Sequence, residues 1–267
     1  KTFDSSVLSL IILLIMYLDA HSRLERKFTL YNFFMKLVLL NMTLIMIDLS
    51  TWIVDGLSGI IGNIAVYATN FLLFAIEPMG LALWILYANY LVFHDETRIA
   101  KLKKLLFIPL TTNFLLSITS LSTGWFFTVD QFNFYHRGNF YWVHLLLCVI
   151  LLLSPFLFIF KNRKKIPKKH FFSLLFFIIP ISVGTTLQVL FYGVTYVWSG
   201  MMLSLLIVYL TIQDRESSTD FLTEVNNRKQ LDHFIRNKIN SGRKPEPFSI
   251  ILIDLDHFKE INDRYGH

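Results

Sequence analysis

Asp254 and Asp256 stand two residues apart at the end of the apolar run Phe248–Ile253. That run is short and continuous, and it follows the turn-forming stretch Ser241–Pro247, so it reads as a buried strand. Strand residues at i and i+2 share a face, and ligand sites in α/β sheets open at the C-terminal ends of strands. Two carboxylates placed there suit Mg2+, which takes oxygen ligands and keeps phosphate oxygens as partners. A plainer arrangement fits the same spacing: Asp256 caps the next helix and Asp254 only closes the strand. A second group of chemically capable side chains, Asp48, Glu77, His144 and Gln188, with Asn113, is embedded in long apolar runs.

Composition decides what surrounds them. Of 267 residues, 54% are hydrophobic and 16% charged, against ~25% charged in an average soluble domain. Twenty-six Phe and a single Cys exclude a disordered chain and a disulfide framework, and they disfavour an ordinary soluble enzyme. A polytopic membrane protein with a small attached unit remains. The chain starts at Lys1 and stops at His267 within what reads as a folded unit, so it is expected to be a fragment open at both ends. The net charge of +6 is uneven. Residues 1–212 hold 16 Lys+Arg and 9 Asp+Glu, and residues 213–267 hold 9 and 10. The basic excess belongs to the membrane part and argues for topology rather than for a nucleic-acid partner.

A spanning helix needs about 20 mainly apolar residues. Seven candidates are read: Ser5–Leu18, Phe33–Val54, Phe71–Phe93, Leu105–Leu121, Phe140–Phe160, Phe171–Tyr192 and Val194–Ile212. The first, third and fifth loops collect Arg23, Arg26, Lys27, Arg98, Lys101, Lys103, Lys104, Lys161, Arg163, Lys164, Lys165, Lys168 and Lys169. The opposite side has Arg137 and Lys1. Cytoplasmic loops are enriched in Lys and Arg, which places the N-terminus outside and everything after Ile212 in the cytoplasm. The basic loop Lys161–Lys169 also suits anionic lipid. Ile60–Phe93, read as one helix, is about 51 Å long, so it must tilt, project or bend, and Pro78 supplies a cause for a bend.

The wider string around the aspartates is more specific. Ile-Leu-Ile-Asp254-Leu-Asp256-His-Phe258-Lys259-Glu-Ile-Asn262-Asp263-Arg-Tyr-Gly266-His267 resembles the opening of a GGDEF domain, the catalytic domain of diguanylate cyclases. Asp220-x-Leu222-Thr223, followed by Asn227-Arg228, resembles the start of the same domain, although Glu224 and Val225 stand where the family has Gly and Leu. The resemblance covers about residues 214–267. It implies a palm-like α/β sheet, condensation of two GTP into cyclic di-GMP, Mg2+ (or Mn2+) as cofactor and a homodimer in the active state. By the same resemblance, Asp254 ligates metal through its carboxylate and Leu255 through its carbonyl. Lys259 stabilises phosphate charge, Asn262 reads the guanine edge and His267 contacts substrate, while Asp256 and Asp263 are mainly structural. The signature loop that names the family would lie further on, so residues 1–267 alone are expected to be inactive.

The expected architecture is an α-helical polytopic membrane protein followed by the start of that α/β domain: a seven-helix sensor region over 1–212, a short helical stalk over 213–219 and the GGDEF portion over 220–267. Its place is the bacterial cytoplasmic membrane. Intramembrane ionisable residues are costly and often functional. Asp48, Glu77, His144 and Gln188 are therefore expected to line a pocket, open to the outside, for an unknown sensory ligand. Interhelical hydrogen bonding accounts for such residues equally well. The alternative for the whole is a degenerate GGDEF domain that binds nucleotide or a partner protein without catalysis.

Overall fold

The computed structural model describes residues 2–23, 29–166, 168–191, 195–216, 225, 228, 231, 235, 249–254 and 256–266. The chain divides into two compact units, Lys1–Asp214 and Arg215–His267.

Among the described residues of the first unit, five helices are long and apolar enough to cross a membrane: α1 (Thr2–Arg23), α2 (Thr29–Val54), α3 (Gly59–Phe93), α4 (Glu96–Thr123) and α5 (Tyr141–Lys161). The short helices α6 (Lys168–Phe176) and α7 (Ile178–Leu190) follow, then α8 (Val197–Glu216). α3 is the hub and packs on α2, α4 and α5. Phe34, Ile45, Trp84, Phe177 and Leu205 form the centre of the core, with the Trp84 and Phe177 rings stacked at 3.4 Å. The outer surface is apolar as well: Leu14, Ile15, Ile53, Phe107, Ile108 and Leu157 are exposed. A helix that is apolar all round belongs in lipid.

Two features differ from the expectation. The sixth span, read as continuous over Phe171–Tyr192, carries a lapse in its hydrogen-bond ladder at Phe177 between α6 and α7, although Phe177 keeps helical angles (φ −54°, ψ −36°). Pro180 has no N–H for the Phe176 carbonyl and its ring crowds that turn, while the Phe177 carbonyl accepts from the Ser204 hydroxyl of α8. Arg98, Lys101, Lys103 and Lys104, assigned to a loop, lie on the first turns of α4. Asp95 starts that helix early: its Oδ1 accepts from the Thr97 and Arg98 N–H groups at 2.8 and 3.1 Å and satisfies two otherwise orphan donors.

Between α4 and α5 lies a small hairpin, β1 (Phe127–Val129) and β2 (Tyr135–Arg137), antiparallel with Thr128 opposite His136. Asp130 Oδ1 organises its turn by accepting from the N–H groups of Phe132 and Phe134, both at 2.9 Å. Asn133 then ties the hairpin to the α2–α3 turn, donating to the Leu57 carbonyl at 2.8 Å and accepting from Asn63 at 2.8 Å. Beneath it Phe74, Phe126, Phe127 and Tyr141 form a second, smaller core. The hairpin thus covers one end of the bundle.

In the second unit, α9 (Phe258–Tyr265) follows a left-handed His257 (φ 55°) and ends at Gly266 (φ 86°), whose N–H donates to the Asn262 carbonyl at 2.8 Å. The buried strand expected up to Ile253 is not there. Residues 249–254 carry no ladder, and Leu252 is 95% exposed. A strand exists through its partners, and the described residues of this unit contain no other strand to pair with it. The amphipathic helix read over Leu231–Ile239 and the Asp220–Arg228 segment lie mostly outside the described residues.

Candidate functional site

The first unit encloses a cavity of about 240 Å3 between α2, α3, α5, α7 and α8, at the end covered by the hairpin. Asp48, Glu77, His144 and Gln188, the four residues singled out in the sequence, all line it. Asp48 (2% exposed) comes from α2, Glu77 from α3, His144 (3%) from α5 and Gln188 from α7. Asn113 of α4 stands behind the wall and bonds to His144. Its Nδ2 donates to the Phe74 carbonyl at 2.8 Å, so its Oδ1 faces His144 Nδ1, also at 2.8 Å. His144 therefore carries a proton on Nδ1 and turns Nε2 towards Glu77 Oε2, 3.1 Å away. Gln188 Oε1 is buried without a hydrogen-bond partner, while the Thr195 hydroxyl and the Trp198 indole stand against the Asp48 carboxylate on the same wall.

The sequence reading missed part of this wall. Cys148 lines the cavity four residues after His144, a spacing that puts both on one helix face. Arg137 of the hairpin closes the edge, its guanidinium donating to the Gln188 carbonyl at 2.8 Å. No local pattern announces that contact.

In the second unit, Asp254 and Asp256 are exposed just before α9. Leu255 and His267 lie outside the described residues. Lys259 stands on the first turn of α9 and Asn262, partly buried, three residues on, a spacing that places them on one helix face. Asp263 follows and is exposed. His257 lies 3.6 Å from Asp256 and 3.3 Å from Glu260. The donors at the start of this helix are carboxylate oxygens, the hard ligands that Mg2+ prefers, so the residues present fit such an ion.

Residues 217–267 match the family model described as diguanylate cyclase, GGDEF domain. This segment is similar to GGDEF sequences. Over 57 residues, 21% of the chain, it is 39% identical to the diguanylate cyclase DosC of Shigella flexneri, strain 8401, covering 15% of that protein. It is 40% identical over 52 residues, 19% of the chain, to the probable diguanylate cyclase DgcC of Escherichia coli K12, covering 14% of it. The chain thus spans only a small part of these relatives. A longer likeness, 30% identity over 146 residues, joins it to the uncharacterized protein YhcK of Bacillus subtilis 168 and covers 46% of this chain and 38% of that one. That share exceeds the GGDEF segment, so the likeness runs into the helical region. No solved structure matches. In the GGDEF segment, the Asp-x-Asp pair, Phe258-Lys259, Asn262-Asp263 and Gly266-His267 all fall inside the matched residues.

Proposed function

We propose that the full-length protein is a membrane-bound sensory diguanylate cyclase that condenses two GTP into cyclic di-GMP under control of its helical region. The observation that carries this is the ordered set Asp254, Asp256, Lys259, Asn262 and His267 inside the matched GGDEF segment. Phosphoryl-type transfer needs positioning, cationic stabilisation and metal ions more than covalent help from the protein, and these residue types can supply it. Asp254 through its carboxylate and Leu255 through its carbonyl would hold Mg2+ (or Mn2+), which supplies Lewis-acid stabilisation of phosphate charge when bound. Lys259 neutralises charge on the phosphates. Asn262 orients the guanine and His267 contacts substrate. Two GTP must meet head to tail, so each protomer presents one and a two-fold homodimer completes the reaction.

In this reading residues 1–212 cross the bacterial cytoplasmic membrane seven times, with α6 and α7 together forming the sixth crossing. The N-terminus lies outside, 213–219 is a stalk and the GGDEF portion, from 220, is cytoplasmic. The distribution of Lys and Arg supports that orientation. The cavity then faces outwards and takes the sensory ligand. In the test, the full-length protein is purified in detergent and incubated with GTP. Cyclic di-GMP should accumulate with Mg2+ or Mn2+, stop on chelation and resume when the metal is restored. GTP left unconverted with both metals would overturn the reading.

A further inference from the structure

We propose that Glu77 of α3 and His144 and Cys148 of α5 form a binding site for a borderline-soft divalent cation, with Zn2+ as the type, in the wall of the membrane cavity. The site deepens the reading of that cavity as the sensory input, but its existence does not depend on cyclase activity. Glu77 Oε, His144 Nε2 and Cys148 Sγ all lie within 4.8 Å of one another. Two of their separations are 3.1 Å (Nε2 to Oε2) and 3.6 Å (Nε2 to Sγ). Bonds of ~2.0–2.3 Å in a tetrahedral zinc site give ligand-to-ligand edges of roughly 3.3–3.8 Å. The three donors therefore need only small adjustments to close on one ion, and the fourth position opens on the cavity.

The hydrogen bond to Asn113 is the decisive detail. With a proton held on Nδ1 by Asn113 Oδ1, the imidazole in its neutral form points the Nε2 lone pair at the Glu77 carboxylate. Two lone pairs facing each other at 3.1 Å repel unless something positive lies between them. A shared proton would satisfy that pair alone. It leaves Gln188 Oε1 buried and unpartnered in the same cavity, and it makes no use of the Cys148 sulfur, which stands 3.6 Å from Nε2 where a third ligand would be needed. A buried acceptor without a donor is costly, and a cation with its bound water answers it together with the Glu77–His144 pair. The formal charges facing the space are Asp48, Asp55 and Glu77 against Arg137, so the cavity favours positive charge. Nitrogen, sulfur and carboxylate in one set select the zinc-like cations over Mg2+ or Ca2+. Asn113 is a positioning residue: it holds the ring as a carboxylate or carbonyl partner does behind a metal-bound histidine.

The test uses the metal-stripped full-length protein in detergent, titrated with Co2+ and then with Zn2+, with no GTP present. One equivalent of Co2+ should give the absorption of a thiolate-bound tetrahedral ion, and Zn2+ should bleach it. Cys148→Ser should remove the thiolate band with an unchanged thermal unfolding midpoint, and Asn113→Leu should weaken Co2+ uptake roughly 10–100-fold. Absence of a thiolate band in the unmodified protein, or its survival in Cys148→Ser, overturns the site, and a proton between Glu77 and His144 then explains the geometry. Because the readout is optical, a protein that fails to make cyclic di-GMP can still pass, and an active cyclase can still fail.

Discussion

Lys259 and Asn262 stand three residues apart on an eight-residue helix, a spacing that places them on one face. Replacing Lys259 by Ala should lower kcat for cyclic di-GMP synthesis by about 100–1,000-fold, the scale for one lost charge-stabilising donor, with little change in thermal stability. An unchanged kcat would make it a solvated surface residue. Outside the membrane segments, two aspartates are tuned by hydrogen bonds. Asp95 lies below the ordinary aspartate value of 3.8 because the Thr97 hydroxyl, then the Arg98 and Thr97 N–H groups, stabilise its charge. Asp130 is likewise lowered, first by His136 and then by backbone N–H groups of its turn. A lowered carboxylate contributes its full stability above the unfolded value and loses it as pH falls through the folded one. Acid unfolding curves in detergent should therefore steepen below pH 3.8, and Asp130→Ala should flatten that limb; an identical acid limb in the variant would contradict the assignment. At this scale the intramembrane polar residues were legible because each breaks an apolar run. Cys148 was not, since thiols are at home in such runs, and only the fold sets its sulfur beside His144 and Glu77.

α7 and α8 approach through small residues. A Cβ at Gly184 would meet the Tyr196 carbonyl, and one at Gly200 the Pro180 carbonyl. Small residues at helix interfaces let backbones come close in lipid. Gly200→Ala should cost about 1–3 kcal/mol through overpacking, read as a lowered unfolding midpoint in detergent, and no shift would mean that the helices part freely. α8 is also tied to α1: the Tyr209 hydroxyl and Gln213 Nε2 both donate to Asp19, and Ser9 donates to Ser199 at 3.0 Å. The long helices could be read from hydropathy because a bilayer demands continuous apolar length. The lapse in the hydrogen-bond ladder at Phe177 could not, since it depends on Pro180 and on Ser204 of another helix. The hairpin escaped for a related reason: its strands are three residues each, too short for an alternating pattern, and side-chain bonds to the α2–α3 turn hold it in place.

For the molecule as a whole, α8 runs to Glu216 and the GGDEF match begins at the next residue. Little chain separates membrane from output, which suits control by displacement of that helix. Inserting one or two residues after Gln213 rotates whatever follows by about 100° per residue in a helix. Cyclic di-GMP output should then change strongly with insertion length, whereas a tolerant insertion series would mark a slack tether. The family likeness was legible ahead of the fold because the motif from Asp254 to His267 is contiguous. The strand before it was read from apolarity alone, and a strand needs neighbours that apolarity does not supply. The central claim is that Asp254 serves GTP chemistry, and its most direct test is cyclic di-GMP synthesis by the full-length protein against its Asp254→Asn variant at saturating GTP and Mg2+. The account predicts loss of at least ~100-fold, beyond what residues supporting a metal ligand cost, with the unfolding midpoint unchanged. Synthesis at an undiminished rate in the variant would contradict it.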